Sequence, residues 1–411
     1  MKVVNPPLIV NKSAFKNTLF GLFIAISIIT NSGYVGMMAK ESRPVFFLIP
    51  LSFGLFFMYI KKNRKILLNY TTVSLSILIS FIIVTFMLNR EFGSINLYLY
   101  LLLMIFSSYL LTEVIPFDDF VNGYILVVKN IAIISLFFYS LWNFFNYRIP
   151  FSIFQTRYTS YYNGLVYFQL LHSPERNVGI FWEPGLFASF LVIALLFLII
   201  FKGLRNNYGT FSILLLGLIS TQSTAGYLLL PFLLLLILFK KVDYRSGVLL
   251  IFILLIISIT GSLFYTQIMQ FLVNINPKIF SKFLDDSVTL NTRLLAPTLN
   301  LNIFMSSPIF GVGFSKATST FIEKSYLYNI ASQTSTSTYF LASMGIAGII
   351  YTYNWIEGIF KLKTKLIIKL ITAIIFIIIL NKEPHNSLFI TYCIMFYFLS
   401  STKTTENLNT K

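Results

Sequence analysis

Apolar positions in this chain come in unbroken blocks. Stretches such as LLNYTTVSLSILISFIIVTFML (67–88) and GVLLIFILLIISITGSLF (247–264) are almost free of charge. Neither shows the two-residue alternation of a half-buried strand or the polar stripe of a soluble helix. Blocks of about 20 such residues are long enough to cross a bilayer as helices. The pattern predicts an all-α integral membrane protein with about twelve spans. They fall near 17–32, 44–60, 67–88, 95–112, 121–144, 185–201, 208–222, 225–239, 247–268, 337–356, 366–380 and 387–401. The first run lacks a small-residue cleavage site and reads as a retained helix, not a signal peptide. No internal repeat or low-complexity tract divides the chain, so residues 1–411 read as a single polytopic domain.

Composition supports this reading. Of 411 residues 56% are hydrophobic and 11% charged, against about 25% charged in soluble domains. The net charge of +17 could point to nucleic acid, but its distribution follows the positive-inside rule instead. With the N-terminus inside, the inner segments hold eighteen Lys and Arg, including KKNRK (61–65) and KLKTK (361–365). The short outer loops hold Lys40, Arg43, Arg90 and Lys382. Both termini are then cytoplasmic, the expected partners are a lipid bilayer and no nucleic acid, and two long loops lie outside, at 145–184 and 269–336. Long loops without function are uncommon, and these carry eight basic residues: Arg148, Arg157, Arg176, Lys278, Lys282, Arg293, Lys316 and Lys324. The spans themselves are nearly charge-free apart from Lys129 and Glu357. The single cysteine, Cys393, excludes an internal disulfide and a cysteine-based zinc site.

Four stretches carry candidate chemistry. In ERNVGIFWEPGLFASFL (175–191), proline suits a first helical position and excludes the preceding residue from the helix. Glu183 then stands just before a helix starting at Pro184, facing its positive end. Arg176 and Glu183 form either a loop-fixing salt bridge or a ligand site. Guanidinium suits phosphate, and a neighbouring acid can take a hydroxyl proton. In DDSVTLNTRLLAPTLNLNIFMSSPIFGVGFS (285–315), Arg293 is isolated, and Gly311 and Gly313 permit close backbone approach. STQSTAGYLLLP (220–231) reads as a tight turn. NKEPHNSLF (381–389) is an external hairpin offering Glu383 and His385, and His172 lies on the first loop. QIMQFLVNINPKIFSKFLDD (267–286) is an amphipathic segment, either packed on the bundle or lying in the membrane interface. No phosphate-binding loop, dinucleotide fingerprint, metal-binding histidine motif or nucleophile elbow is present, so no cofactor and no metal are expected.

RNVGIFWEPGLFASFL, then STQSTAG, then an isolated arginine followed by PIFGVGFS, then a Ser/Thr segment leading to YFLASMGIAGI, resemble the superfamily of O-antigen polymerases and O-antigen ligases. The likeness spans roughly residues 176 to 350. It implies a fold similar to the polytopic GT-C class of glycosyltransferases. It implies glycosyl transfer on the outer face of the bacterial cytoplasmic membrane, with undecaprenyl-pyrophosphate-linked glycans as donor and acceptor. A polysaccharide chain-length regulator is a further partner in this picture. The family's external arginines, thought to handle the pyrophosphate, correspond to Arg176 and Arg293. Arg157, Gly311 and Gly313 are expected to bind substrate. Ligases carry a histidine just before the span corresponding to Tyr339 to Ile350; SQTSTSTYF has none, which favours a polymerase. The base is then Glu183 first and His385, with Glu383, second. A lipid-linked oligosaccharide flippase is the rival from another class, but transporters place ionisable groups near the bilayer midplane.

Overall fold

The computed structural model describes residues 21, 23–25, 28, 43–62, 70–145, 152–155, 160–164, 166–241, 270–271, 274, 288–326, 335–382 and 385–400. It is mostly helical. The first half contains α1 (Arg43–Lys62), α2 (Tyr70–Asn89), α3 (Ile95–Val114) and α4 (Phe117–Asn143). A small antiparallel sheet follows: β1 (Ser152–Gln155), β2 (Ser160–Asn163) and β3 (Phe168–Leu170), in that order. Then come α5 (Pro184–Phe197, continued by a π turn to Lys202), α6 (Tyr208–Ser220) and α7 (Thr224–Lys241). The last third holds α8 (Val288–Ser306), α9 (Phe314–Tyr326), α10 (Thr336–Met344), α11 (Ile346–Lys361), α12 (Leu366–Lys382) and α13 (Phe389–Ser400).

Among the described residues, four helical segments are long and apolar enough to cross a membrane: Tyr70–Asn89, Phe92–Val114, Phe117–Asn143 and Pro184–Lys202. Shorter apolar helices match the spans expected near 44–60, 208–222, 225–239 and 387–401. Ile77, Ile83, Val84 and Met87 of α2 and Leu126 and Phe137 of α4 are exposed. Such surface is costly in water and neutral against lipid tails. Every residue of α5 is buried, as is every residue of α13 from Phe389 to Leu399. Helices apolar all round belong inside a bundle, and the Phe197 and Phe398 rings lie 6.2 Å apart where α5 and α13 meet. The expected 247–268 span, most of the 17–32 span and nearly all of the 267–286 amphipathic segment lie outside the described residues.

Two contacts orient the bundle. The Tyr100 hydroxyl donates to the Ser387 carbonyl (3.1 Å), and the Tyr397 hydroxyl to the Ile115 carbonyl (3.0 Å). So α13 runs alongside α3 in the same direction. Chain reversal at Ile115–Pro116 then sends α4 back. The start of α3, the end of α4 and the start of α13 share one end, the ledge end. At the other, basic end, Lys202 pairs with Asp118 (3.7 Å) and Lys361 with Glu357 (2.9 Å). There the Lys240 ammonium donates to the Ile199 and Ile200 carbonyls left open by the π turn.

One expected span is broken. The 337–356 block forms α10 and α11, which fold against each other about Gly345, whose φ is +57°. The Phe340 and Tyr351 rings stack at 4.8 Å across this hairpin. Apolar periodicity does not register such a reversal, because both short helices are apolar on the side they share. The later part of the expected 269–336 loop is also helical. Ala296, Leu299 and Ile303 of α8, Val312 of the turn before α9, Ala317 and Phe321 of α9, and Ala342 of α10 form a small core of their own.

The PIFGVGFS turn locks this cap to the α10–α11 reversal. Val312 and Gly313 amides donate to the Ala342 (3.0 Å) and Ser343 (2.9 Å) carbonyls, and the Ile346 amide to the Ile309 carbonyl (2.9 Å). At Gly311, φ is +65° and a Cβ would run into the Ser343 backbone. Gly311→Ala is therefore expected to destabilise the protein by at least about 1–2 kcal/mol, the cost of a side chain in left-handed backbone. Gly209→Ala, where a Cβ meets open space, should be neutral or slightly stabilising. Thermal unfolding of the two variants in detergent checks the contrast.

Candidate functional site

The ERNVGIFWEPG segment is held as a ledge at the end of the bundle. Residues 177–179 lie beside β3: Gln169 and Asn177 form an antiparallel bridge, and the Phe168 amide donates to the Gly179 carbonyl (2.8 Å). Tyr161, Phe168, Leu170 and Val178 fill the space beneath. Two tethers reach from α4: the Tyr139 hydroxyl donates to the Glu175 carbonyl (3.0 Å), and the Asn143 amide to the Pro174 carbonyl (3.2 Å).

The joint between ledge and bundle is Asn177, a residue that sequence reasoning passed over. It is fully buried. Its side-chain amide donates to Ser135 Oγ of α4 (3.2 Å) and Ser220 Oγ of α6 (2.9 Å). Its side-chain oxygen accepts from the Gly179 amide (2.9 Å), and its backbone amide donates to the Ser220 carbonyl (3.0 Å). The STQSTAG turn thus supplies both a side chain and a carbonyl to the ledge.

Arg176 and Glu183 are the two ends of this ledge. Arg176 is half-buried, and its backbone amide donates to the Ser173 carbonyl (3.1 Å). Glu183 is exposed. As expected from sequence, α5 begins at Pro184 with Glu183 in extended backbone before it. The Glu183 side chain makes no capping bond to that helix, although a carboxylate at a helix start commonly does. The carboxylate therefore stands near the positive helix end with its oxygens open to the surface. The phenol of Tyr161, which donates to the Trp182 carbonyl (2.7 Å), is pushed up by burial and by the nearby Glu183 charge.

A second carboxylate, Glu91, does the opposite. It is buried in the turn between α2 and α3. It accepts from the amides of Phe314 (2.8 Å), Ser315 (2.7 Å) and Lys316 (3.4 Å), and from the Tyr98 hydroxyl (2.9 Å). These amides are open donors at the start of α9, so Glu91 caps that helix from a distant segment. Gly313 lies against the Glu91 carboxylate, where a Cβ would intrude. Gly311 thus packs against the Ser343 backbone and Gly313 against the Glu91 carboxylate.

His385 sits in the turn between α12 and α13, 1% exposed. Its backbone amide donates to Thr336 Oγ1 at the start of α10 (2.7 Å), and its Nδ1 lies 3.1 Å from Thr391 Oγ1. Burial lowers its pKa to about 3. A neutral, enclosed imidazole is a weak base at neutral pH. Arg293 lies on α8, its side chain outside the described residues; Arg157 and Glu383 are outside them altogether. His172 is exposed, three residues before the ledge.

No protein-family model, curated protein or solved structure matches the chain.

The buried histidine has a consequence for pH. Its folded pKa, about 3, lies below its ordinary value of 6.5. As pH falls below 6.5 the unfolded chain takes up this proton first. Stability is complete above that pH and falls toward pH 3, by up to about 1.4 kcal/mol per pH unit. Melting temperature should drop between pH 7.5 and 5.0 in the wild type, and drop less in His385→Gln.

Proposed function

We propose that this chain is a polysaccharide polymerase of the bacterial cytoplasmic membrane. It joins undecaprenyl-pyrophosphate-linked oligosaccharide repeat units, with the ledge end facing outward and both termini in the cytoplasm. The architecture we propose is a twelve-span, GT-C-like single domain. An acceptor hydroxyl oxygen attacks the anomeric carbon of the donor glycan. The bond from that carbon to the pyrophosphate oxygen breaks, and the electron pair leaves with the lipid pyrophosphate. Arg176 and Arg293 hold the charge that grows on the leaving group, an interaction stronger in the transition state than before it. Glu183 takes the acceptor proton.

The observation that carries this reading is the contrast between two carboxylates at one end of the bundle. Glu91 is buried and engaged by three amides and a phenol, whereas Glu183 is exposed, leaves its helix uncapped, and shares a braced ledge with Arg176. A carboxylate free of structural bonds is the one available for proton transfer. Burial of His385 favours Glu183 over it as the base. The order of the ledge, the STQSTAG turn, the Arg293 helix and the PIFGVGFS turn also supports a polymerase.

Deleting the gene in its host is expected to collapse the surface glycan ladder to one repeat unit on its normal anchor. Full-length polymer accumulating on undecaprenyl pyrophosphate would instead identify a ligase. In complemented strains, Arg176→Lys and Glu183→Gln should each lower polymer yield by about 100-fold or more, the usual effect of losing one transition-state contact. Normal ladders from both variants, at normal membrane levels, would remove these residues from the chemistry.

A further inference from the structure

Lys129 is the one basic residue of α4, whose acids Asp118 and Asp119 lie in its first turn; it stands twelve residues beyond Phe117, about 18 Å along the helix. A cation that deep in a span is costly unless something answers it. It faces a cavity of about 260 Å³ at the basic end, walled by α4, the π turn after α5 and the first turn of α6. Lys202 lines the opposite wall, and Asn122, Asn207 and Thr210 add neutral polar groups. The carboxylate described near these ammoniums is Asp118, 3.7 Å from Lys202, and its side chain is 77% exposed. Two ammoniums with one solvated counter-charge leave the cavity positive.

The surface beside the cavity is apolar. Leu126, which also lines it, is 51% exposed. Ile133 and Phe137 follow Lys129 by one and two helical turns on the same face of α4, and both are exposed. The cavity therefore opens sideways toward lipid, with an apolar track rising from it. A soluble anion would use the charged end and leave the track unexplained.

We propose that this cavity holds the phosphate head group of an anionic phospholipid, its acyl chains lying along Leu126, Ile133 and Phe137. Lys129 and Lys202 grip the phosphate from opposite walls. Basic pockets between membrane helices suit such head groups. The site lies at the opposite end from the ledge, so it stands independently of the polymerase reading.

Native mass spectrometry of the full chain in detergent tests this, with phosphatidylglycerol, phosphatidylcholine and inorganic phosphate as separate probes. Phosphatidylglycerol should be retained in preference to phosphatidylcholine. Lys129→Gln with Lys202→Gln should weaken it by about 30-fold, about 5-fold for each lysine. Lys363→Gln, an exposed lysine elsewhere, should leave retention unchanged. If the double variant does not fold, Lys129→Gln alone should lose about 5-fold, and Lys129→Arg with Lys202→Arg should keep wild-type retention. Equal retention of the two lipids would overturn the proposal. So would undiminished phosphatidylglycerol binding in the glutamine variants, or displacement of that lipid by inorganic phosphate.

Discussion

A polar group sealed inside an apolar bundle must find its partner within the protein, because lipid supplies none. That constraint organises the ledge end of this molecule. Asn177 is the clearest instance: one buried amide ties the ledge to α4, to α6 and to its own loop. Glu91 answers the same demand at the start of α9, where three amides would otherwise lack acceptors. Lysines meet it at the basic end, where Lys240 and Lys365 donate to carbonyls closing α5 and α7. Loss of the Asn177 side chain would remove the ledge's bonds to Ser135 and Ser220 and leave the Tyr139 and Asn143 tethers to hold it.

The same logic separates structural charges from available ones. Groups whose bonding capacity is filled by the fold hold the fold. Glu91 is of this kind, enclosed and directed at a distant segment. Glu183 stands exposed on the braced ledge and leaves its helix uncapped. Rigid placement of an outward charge is what transition-state stabilisation demands, since reorganisation at the moment of reaction would cancel the gain. On the polymerase reading we propose, an exposed carboxylate suits a reaction between lipid-anchored partners better than passage through the bilayer, which calls for charges at mid-depth.

Much of this was legible in the sequence, and the limits have physical causes. Unbroken apolar blocks located α2, α3, α4 and α5 closely, and the Glu183–Pro184 pair marked the start of α5. Periodicity could not register the fold-back at Gly345, since α10 and α11 present apolar faces to each other. Gly311 and Gly313 were legible as points of close approach, but what approaches them is backbone and a carboxylate of the protein itself. Glu91 went unnoticed because its partners lie 223 to 225 residues away. Asn177 was hidden beside a more conspicuous arginine. An asparagine leading into the apolar run VGIFW at the mouth of a span was the available signal, and its partners Ser135 and Ser220 look like ordinary helix serines in sequence.

The most direct test of the central claim is reconstitution. Purified protein would be placed in liposomes with undecaprenyl-pyrophosphate-linked repeat units, and both the glycan products and the free lipid pyrophosphate measured. The account predicts lengthening glycans on undecaprenyl pyrophosphate, with one lipid pyrophosphate released per bond formed, both lost in Glu183→Gln. Repeat units that cross to the opposite leaflet unjoined, with no pyrophosphate released, would contradict it and make the protein a transporter.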